Sequence, residues 1–306
     1  MSKPEKRKIS GVLLLDKPHG ISSNHALQKV KKIFSAAKCG HTGTLDPMAT
    51  GLLPICFGEA TKFSAHLLGA EKSYIATLKL GFLSTTGDAE GEIHQLEIPE
   101  YPTQAKCERI LLQFTGTTQQ IPPMYSALKY QGKPLYQYAR NGDTIARPAR
   151  DINIDTLQIL SLHDDELRIS VRCSSGTYIR VLAEDIGKAL GCGGAYLTDL
   201  RRTAIDRFNI AQAQTLQAIE DLESGERQHL LLSIDHLLQD YPMIQLDNLM
   251  AKHILQGRIV ACPSDAGVIP EGAMARLYNE QQQFLGLGVI TPERAIVAKR
   301  LLSGIP

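Results

Sequence analysis

The chain has 306 residues, 43% of them hydrophobic, which is enough for one large and one small domain with packed cores. A formal net charge of +1 gives no global field of the kind that announces a polyanion binder. The six cysteines never fall into CxxC spacing, no apolar run could span a bilayer, and the charged Met1–Lys8 stretch is no secretory leader, so the chain reads as a reduced, cytoplasmic protein with no membrane contact.

In chain order, Ile9–Leu15 reads as a buried strand ending in Asp16-Lys17-Pro18-His19-Gly20 turn chemistry. Ser22, Ser23 or Asn24 caps a helix through about Phe34. A Gly- and Thr-rich segment, 39–51, leads to a strand over 52–57 and a helix over 60–68. Tyr74–Leu80 is β-rich, 83–91 is a loop, and 106–114 is a short helix. The stretch 120–150 is basic and tyrosine-rich with weak periodicity, and projects from the core. Leu167, Ile169, Val171 and Cys173 alternate with polar residues as in a half-buried strand. Val181–Leu190 is a helix stopped by Gly191, and 214–240 is helical by pattern. Pro242 marks a boundary, so 1–242 is one domain and 243–306 another. The second holds a helix near 247–256 and short strands around 275–278, 284–289 and 295–298, a small mixed or β-barrel module.

Charge is local rather than global. Through residue 40, nine Lys and Arg face only Glu5 and Asp16, and over 126–150 five face only Asp143. Such segments in a neutral chain suit a face for a polyanion, although solvated surface lysines would read the same way.

Four segments carry chemistry. Gly40-His41-Thr42-Gly43-Thr44-Leu45-Asp46-Pro47 puts a carboxylate before proline in a Gly-rich loop, either a turn cap or a reactive group. Ser174-Ser175-Gly176-Thr177-Tyr178-Ile179-Arg180 joins a strand to a helix. It is an ordinary capped turn, or else it offers an Arg to a carboxylate and a Tyr to a pocket. Lys72-Ser73-Tyr74 is a strand start, and Pro122–Lys129 interleaves aromatic and basic residues as a base-stacking groove would.

Together with Gly11–Ser23 and Leu200-Arg201-Arg202-Thr203, these ordered segments resemble the TruB family, bacterial synthases that make pseudouridine 55 in tRNA. The resemblance runs over about 8–210, with a weaker match of 243–304 to a small PUA-like RNA-binding domain. It implies an α+β fold: a mixed, mainly antiparallel sheet flanked by helices and loops, with a C-terminal PUA-like β-barrel. Asp46 would then be the catalytic carboxylate, Arg180 its ionic partner, and Tyr74 a stacking residue that helps remove the C5 proton. Tyr178 and Leu200 would line the base pocket, with Lys17 supporting the loops around it. His41 would fill the space left by a flipped base. Lys129, Lys133, Arg140 and Arg147 would grip the T-arm of tRNA. No metal, cofactor or obligate protein partner is implied, and a monomer suffices.

Three positions depart from the pattern. Ser84-Thr85-Thr86 lacks the acidic residue expected in that loop, and Tyr196 and Asp206 replace a usual His and a frequent Gly. Two other readings compete with the stand-alone enzyme: a tRNA-folding protein acting independently of catalysis, and a guide-RNA-dependent synthase subunit.

Overall fold

The computed structural model describes residues 6–97 and 100–304. Of the basic N-terminal stretch, Lys3 lies outside them. The larger sheet is built from β1 (Gly11–Lys17), β2 (Thr50–Phe57), β3 (Lys72–Leu80), β4 (Gly116–Gln120), β5 (Arg150–His163), β6 (Glu166–Cys173) and β7 (Ala195–Ile205). Its order is β1-β2-β7-β3-β6-β5-β4, with Gln214–Thr215 alongside β1. Pairing is antiparallel except between β2 and β7 and between β1 and Gln214–Thr215. This is the mixed sheet expected.

The sheet has two halves with different sequence patterns. β1 is apolar at every central position because both its faces are covered. Leu13 and Leu15 pack with α1 (Ser23–Ile33), capped by the Ser22 hydroxyl, while Val12 and Leu14 pack with Phe63, Leu238 and Phe284 on the other side. β6 alternates because only one face is covered: Leu167, Ile169 and Val171 pack with Leu182 and Ile186 of α2 (Ile179–Ala189), and Arg168 and Arg172 point outward.

The second, curled sheet contains β8 (Met243–Gln245), β9 (Val260–Ala261), β10 (Met274–Tyr278), β11 (Phe284–Ile290) and β12 (Ala295–Leu301), in the order β8-β10-β11-β12-β9, with the helix Asn248–Leu255 packed on it. It docks on the larger sheet: Tyr278, Phe284 and Leu287 share a core with Phe63 and Leu67, and the Lys62 ammonium donates to the Leu301 carbonyl and the Ser303 hydroxyl.

Several segments differ from the sequence reading. The helix expected over 214–240 is α-helical only over Leu216–Asp221, followed by 3-10 turns at Glu226–Leu230 and Ile234–Leu238; Ser224-Gly225 turns the chain, and the Leu232 backbone pairs with Val12 of β1. The helix over 60–68 splits into a 3-10 turn, Gly58–Lys62, and one α-turn, Ala65–Leu68, with Phe63 and Leu67 both in the core. The 83–91 loop is entered by a hairpin, Phe82–Ser84 with Ile93–Gln95. β5 and β7 gave no usable alternation because each holds two bulges, which move the inward set from one parity to the other.

Candidate active site

The Asp46 loop enters from Cys39–His41, which pairs with β2, and returns into β2 itself. Leu45 and Met48 are buried under it, and the Ser23 hydroxyl both accepts from the Leu45 N–H (2.8 Å) and donates to the Leu45 carbonyl (2.9 Å). Asp46, between two buried neighbours and ahead of Pro47, is thereby turned into the cleft. The Ala49 N–H closes the turn on the Asp46 carbonyl.

Two buried cations hold the loop through backbone oxygens. Lys17, fully buried at the end of β1, donates to the carbonyls of Pro18 (2.8 Å), Ile21 (2.7 Å) and Pro47 (3.3 Å). Arg202 of β7, 1% exposed, donates to the carbonyls of Leu52 (2.8 Å) and Gly43 (3.0 Å) and has no carboxylate partner among the described residues. A side chain at Gly51, which has φ +103°, would collide with the Arg202 carbonyl, so glycine there permits the β2–β7 approach. Burial lowers the Lys17 ammonium to about 8. Lys72, at the start of β3, is likewise lowered to about 8 and donates to the Leu68 and Ala70 carbonyls.

Arg180, in the first turn of α2 and 6% exposed, is the hub of the cleft. Its Nε lies 3.1 Å from Asp46 Oδ2 and 3.7 Å from Asp88 Oδ2. Its two terminal nitrogens donate to the carbonyls of Thr86 and Tyr125, each at 2.7 Å. Every branch of the guanidinium is thus engaged, and its angle to Asp46 is fixed. The Asp46 side chain keeps 36% of its surface open. Its pKa is nonetheless raised, because the cleft walls desolvate it and Asp88 repels its charge, against the attraction of Arg180 and Lys17.

Tyr74 of β3 and Leu200 of β7 lie in the same apolar cluster as Leu45 and Met48. Burial raises the Tyr74 phenol, and the neighbouring Arg202 opposes that shift. Tyr178 precedes α2, half-buried, with its phenol also raised by burial. His41 is half-buried and held below the usual imidazole range by burial and by Arg202. Four buried side-chain polar atoms lack a partner among the described residues: His41 Nδ1, Thr42 Oγ1, Ser126 Oγ and Thr177 Oγ1. All four lie in the segments that carry Asp46, Tyr125 and Arg180.

The structure pairs Asp46 with Arg180, places Tyr74 and Leu200 in one apolar cluster with Leu45 and Met48, and sets Tyr178 just ahead of the helix that carries Arg180, while Lys17 turns all its donors to backbone carbonyls. Lys129, Lys133 and Arg140 are exposed on the insertion, the segment 121–149 between β4 and β5, with Arg140 over the Tyr136 ring. Arg147 turns inward. Sequence reasoning missed Asp88, Gln120 and the anchoring role of Arg202. The 84–91 loop does carry an acidic group at the site: Asp88, 2% exposed and facing Arg180, two residues beyond the tripeptide that lacks one. Among the described residues no His, Cys, Asp and Glu side chains gather as a metal site, and no helix is long and apolar enough to cross a membrane.

This fold recurs in solved structures. One is a chain of a Cbf5-Nop10-Gar1 complex (TM-score 0.71, 24% identity, covering 95% of this chain and 84% of that one). Another is a chain of an H/ACA RNP bound to a substrate RNA containing 2′-deoxyuridine (TM-score 0.71, 21% identity, 97% and 85%). Family models define the class, that of the pseudouridylate synthases. Residues 31–179 match the N-terminal domain of the TruB family pseudouridylate synthases, 180–241 a tRNA pseudouridylate synthase B C-terminal domain, and 242–302 the C-terminal region of pseudouridine synthase II TruB. The chain is 54% identical to the tRNA pseudouridine synthase B of Nitrosospira multiformis, over 99% of this chain and 98% of that one. It is 52% identical to that of Nitrosomonas europaea, over 95% of each. It belongs to the TruB family.

Proposed function

We propose that this chain isomerises one uridine of tRNA, position 55 of the T-loop, to pseudouridine, acting as a cytoplasmic monomer with no guide RNA or protein partner. The observation that carries the reading is the Arg180–Asp46 pair, with part of the Asp46 side chain open to solvent and Tyr74 and Leu200 in the same apolar cluster as its neighbour Leu45. In the reaction the N1–C1′ bond breaks and a C5–C1′ bond forms; C5 loses a proton and N1 gains one, with no net oxidation. Asp46, kept ionised by Arg180, is the carboxylate that acts on the nucleotide. Tyr74 stacks on the uracil and takes part in removing the C5 proton. A uridine inside a folded loop must leave its stack to reach this cleft, at a cost of a few kcal/mol. His41, neutral and with an unpartnered Nδ1, is suited to fill the space it vacates. The insertion holds the T-arm through Lys129, Lys133 and Arg140. The module from 243 onward extends the contact along the RNA.

The test uses the purified chain and an unmodified T-arm minihelix, with no other RNA or protein added. Pseudouridine mapping should show conversion of the single T-loop uridine. No conversion unless a guide RNA is supplied would favour the subunit reading. Growth defects rescued in full by an Asp46→Asn chain would favour the tRNA-folding reading.

A further inference from the structure

The insertion is joined to the catalytic arginine at its root, and the joint is held shut by a residue that the charge pattern had assigned to RNA. Arg147 Nε donates to the Pro122 carbonyl at 2.7 Å and its Nη1 to the Ile145 carbonyl at 2.5 Å. These two carbonyls belong to the outgoing and returning stalks of the insertion, so one guanidinium bridges its neck. A second cross-link runs beside it, from the Ile145 N–H to Met124 Sδ at 3.4 Å. Pro122 and Pro123 stiffen the outgoing stalk, since each ring locks φ. Two residues further on, Tyr125 presents its carbonyl to Arg180 Nη2 at 2.7 Å, and Arg180 Nε faces Asp46.

The base of the stalk is fixed as well. Gln120, 5% exposed at the end of β4, accepts from the Tyr178 N–H (2.7 Å) and donates to the Tyr178 carbonyl (3.1 Å). Stalk and α2 therefore share one frame, and Arg147 closes its open side. Two of the five N–H donors of Arg147 are committed to backbone carbonyls and the residue is half-buried, unlike the exposed Lys129 and Lys133.

We infer that Arg147 is a positioning residue for the isomerisation rather than an RNA contact: by clamping the neck it sets the Tyr125 carbonyl, which sets Arg180 and through it Asp46. The inference rests on the enzyme reading above. It is tested with Arg147→Lys, which keeps the charge but replaces a two-pronged planar donor with one ammonium, and with Arg147→Met. Two quantities are measured for each: the single-turnover rate of pseudouridine formation at saturating tRNA, and tRNA Kd across a salt series. Both variants should lose about 10- to 100-fold in rate at saturation, the scale that sub-ångström misplacement of a reacting group produces, with Kd and its salt slope as in wild type. A phosphate contact would behave otherwise: the Met variant would bind more weakly with a salt slope smaller by roughly 0.7–0.9, and both variants would turn over normally once saturated. That result overturns the inference, as does a rate loss that merely follows the folded fraction measured by circular dichroism. If wild type itself makes no pseudouridine, the enzyme reading fails; if wild type is active and the variants are unimpaired, only the role of Arg147 is removed.

Discussion

The cleft and the insertion both carry cations, and they hold them in opposite ways. Around Asp46, the side chains of Lys17, Lys72 and Arg202 are buried and tied to carbonyl oxygens. On the insertion, Lys129, Lys133 and Arg140 are exposed. A buried cation that lost its acceptors would carry the full penalty of desolvation, so it stays where the backbone puts it and serves geometry and field. An exposed one is free to replace a counterion on a polyanion, and serves affinity. Cleft mutations should therefore change rate and pH dependence, and insertion mutations should change binding and its response to salt.

The largest effect expected is at Arg180. Arg180→Met leaves Asp46 and the buried Asp88 without the guanidinium that faces both. The rate at saturating tRNA should fall about 10³-fold, on the scale of losing a preorganised electrostatic partner. An unchanged rate would remove the hub from the account.

Lys17 comes next. Lys17→Met removes a donor from three carbonyls, of which Pro47 keeps the Gly20 N–H, and should lower unfolding free energy by about 2 kcal/mol in urea titration. In wild type, Lys17 gives a pH signature. Its folded pKa of about 8 lies below the usual 10.5, so between these values the unfolded chain binds more protons and this residue's contribution to stability rises with pH. Over the same range its amine has one N–H fewer for its three acceptors. Activity should fall above about pH 8 while stability does not, and coincident losses would contradict this.

Asp88 sharpens the comparison with a smaller effect. The Asp46 carboxyl is raised by burial and by Asp88; with its ionised form active, as proposed, activity should be lost as pH falls through that raised value. Asp88→Asn removes the repulsion and should move the acid limb of the pH–rate profile to lower pH. Movement to higher pH would show that Asp88 works chiefly through Arg180. The smallest effect per residue belongs to the insertion: Lys129→Ala, Lys133→Ala and Arg140→Ala should each reduce the salt slope of tRNA binding by roughly 0.7–0.9, leaving the rate at saturation unchanged.

The sequence was legible where periodicity or local chemistry governs. The alternation of β6 and the Gly191 stop of α2 are set within a few residues and match the sequence reading, and the α1 cap, open there among Ser22, Ser23 and Asn24, is Ser22. The Asp46 and Arg180 segments were recognisable only as an ordered set, since either alone is an ordinary turn. What could not be read depends on distant partners. Asp88 lies in an unremarkable Gly-Asp turn, and only the fold brings it to Arg180. Gln120 looks like a polar strand end until Tyr178 is placed opposite it. For Arg147, composition reports a charge but not that its guanidinium donates to the Pro122 and Ile145 carbonyls.

The most direct test is Asp46→Asn on unmodified tRNA labelled with tritium at uridine C5. Tritium release should stay at background under single-turnover conditions, with tRNA Kd within a few-fold of wild type, if the carboxylate does the chemistry and the insertion the gripping, as proposed. Release at the wild-type rate would contradict it.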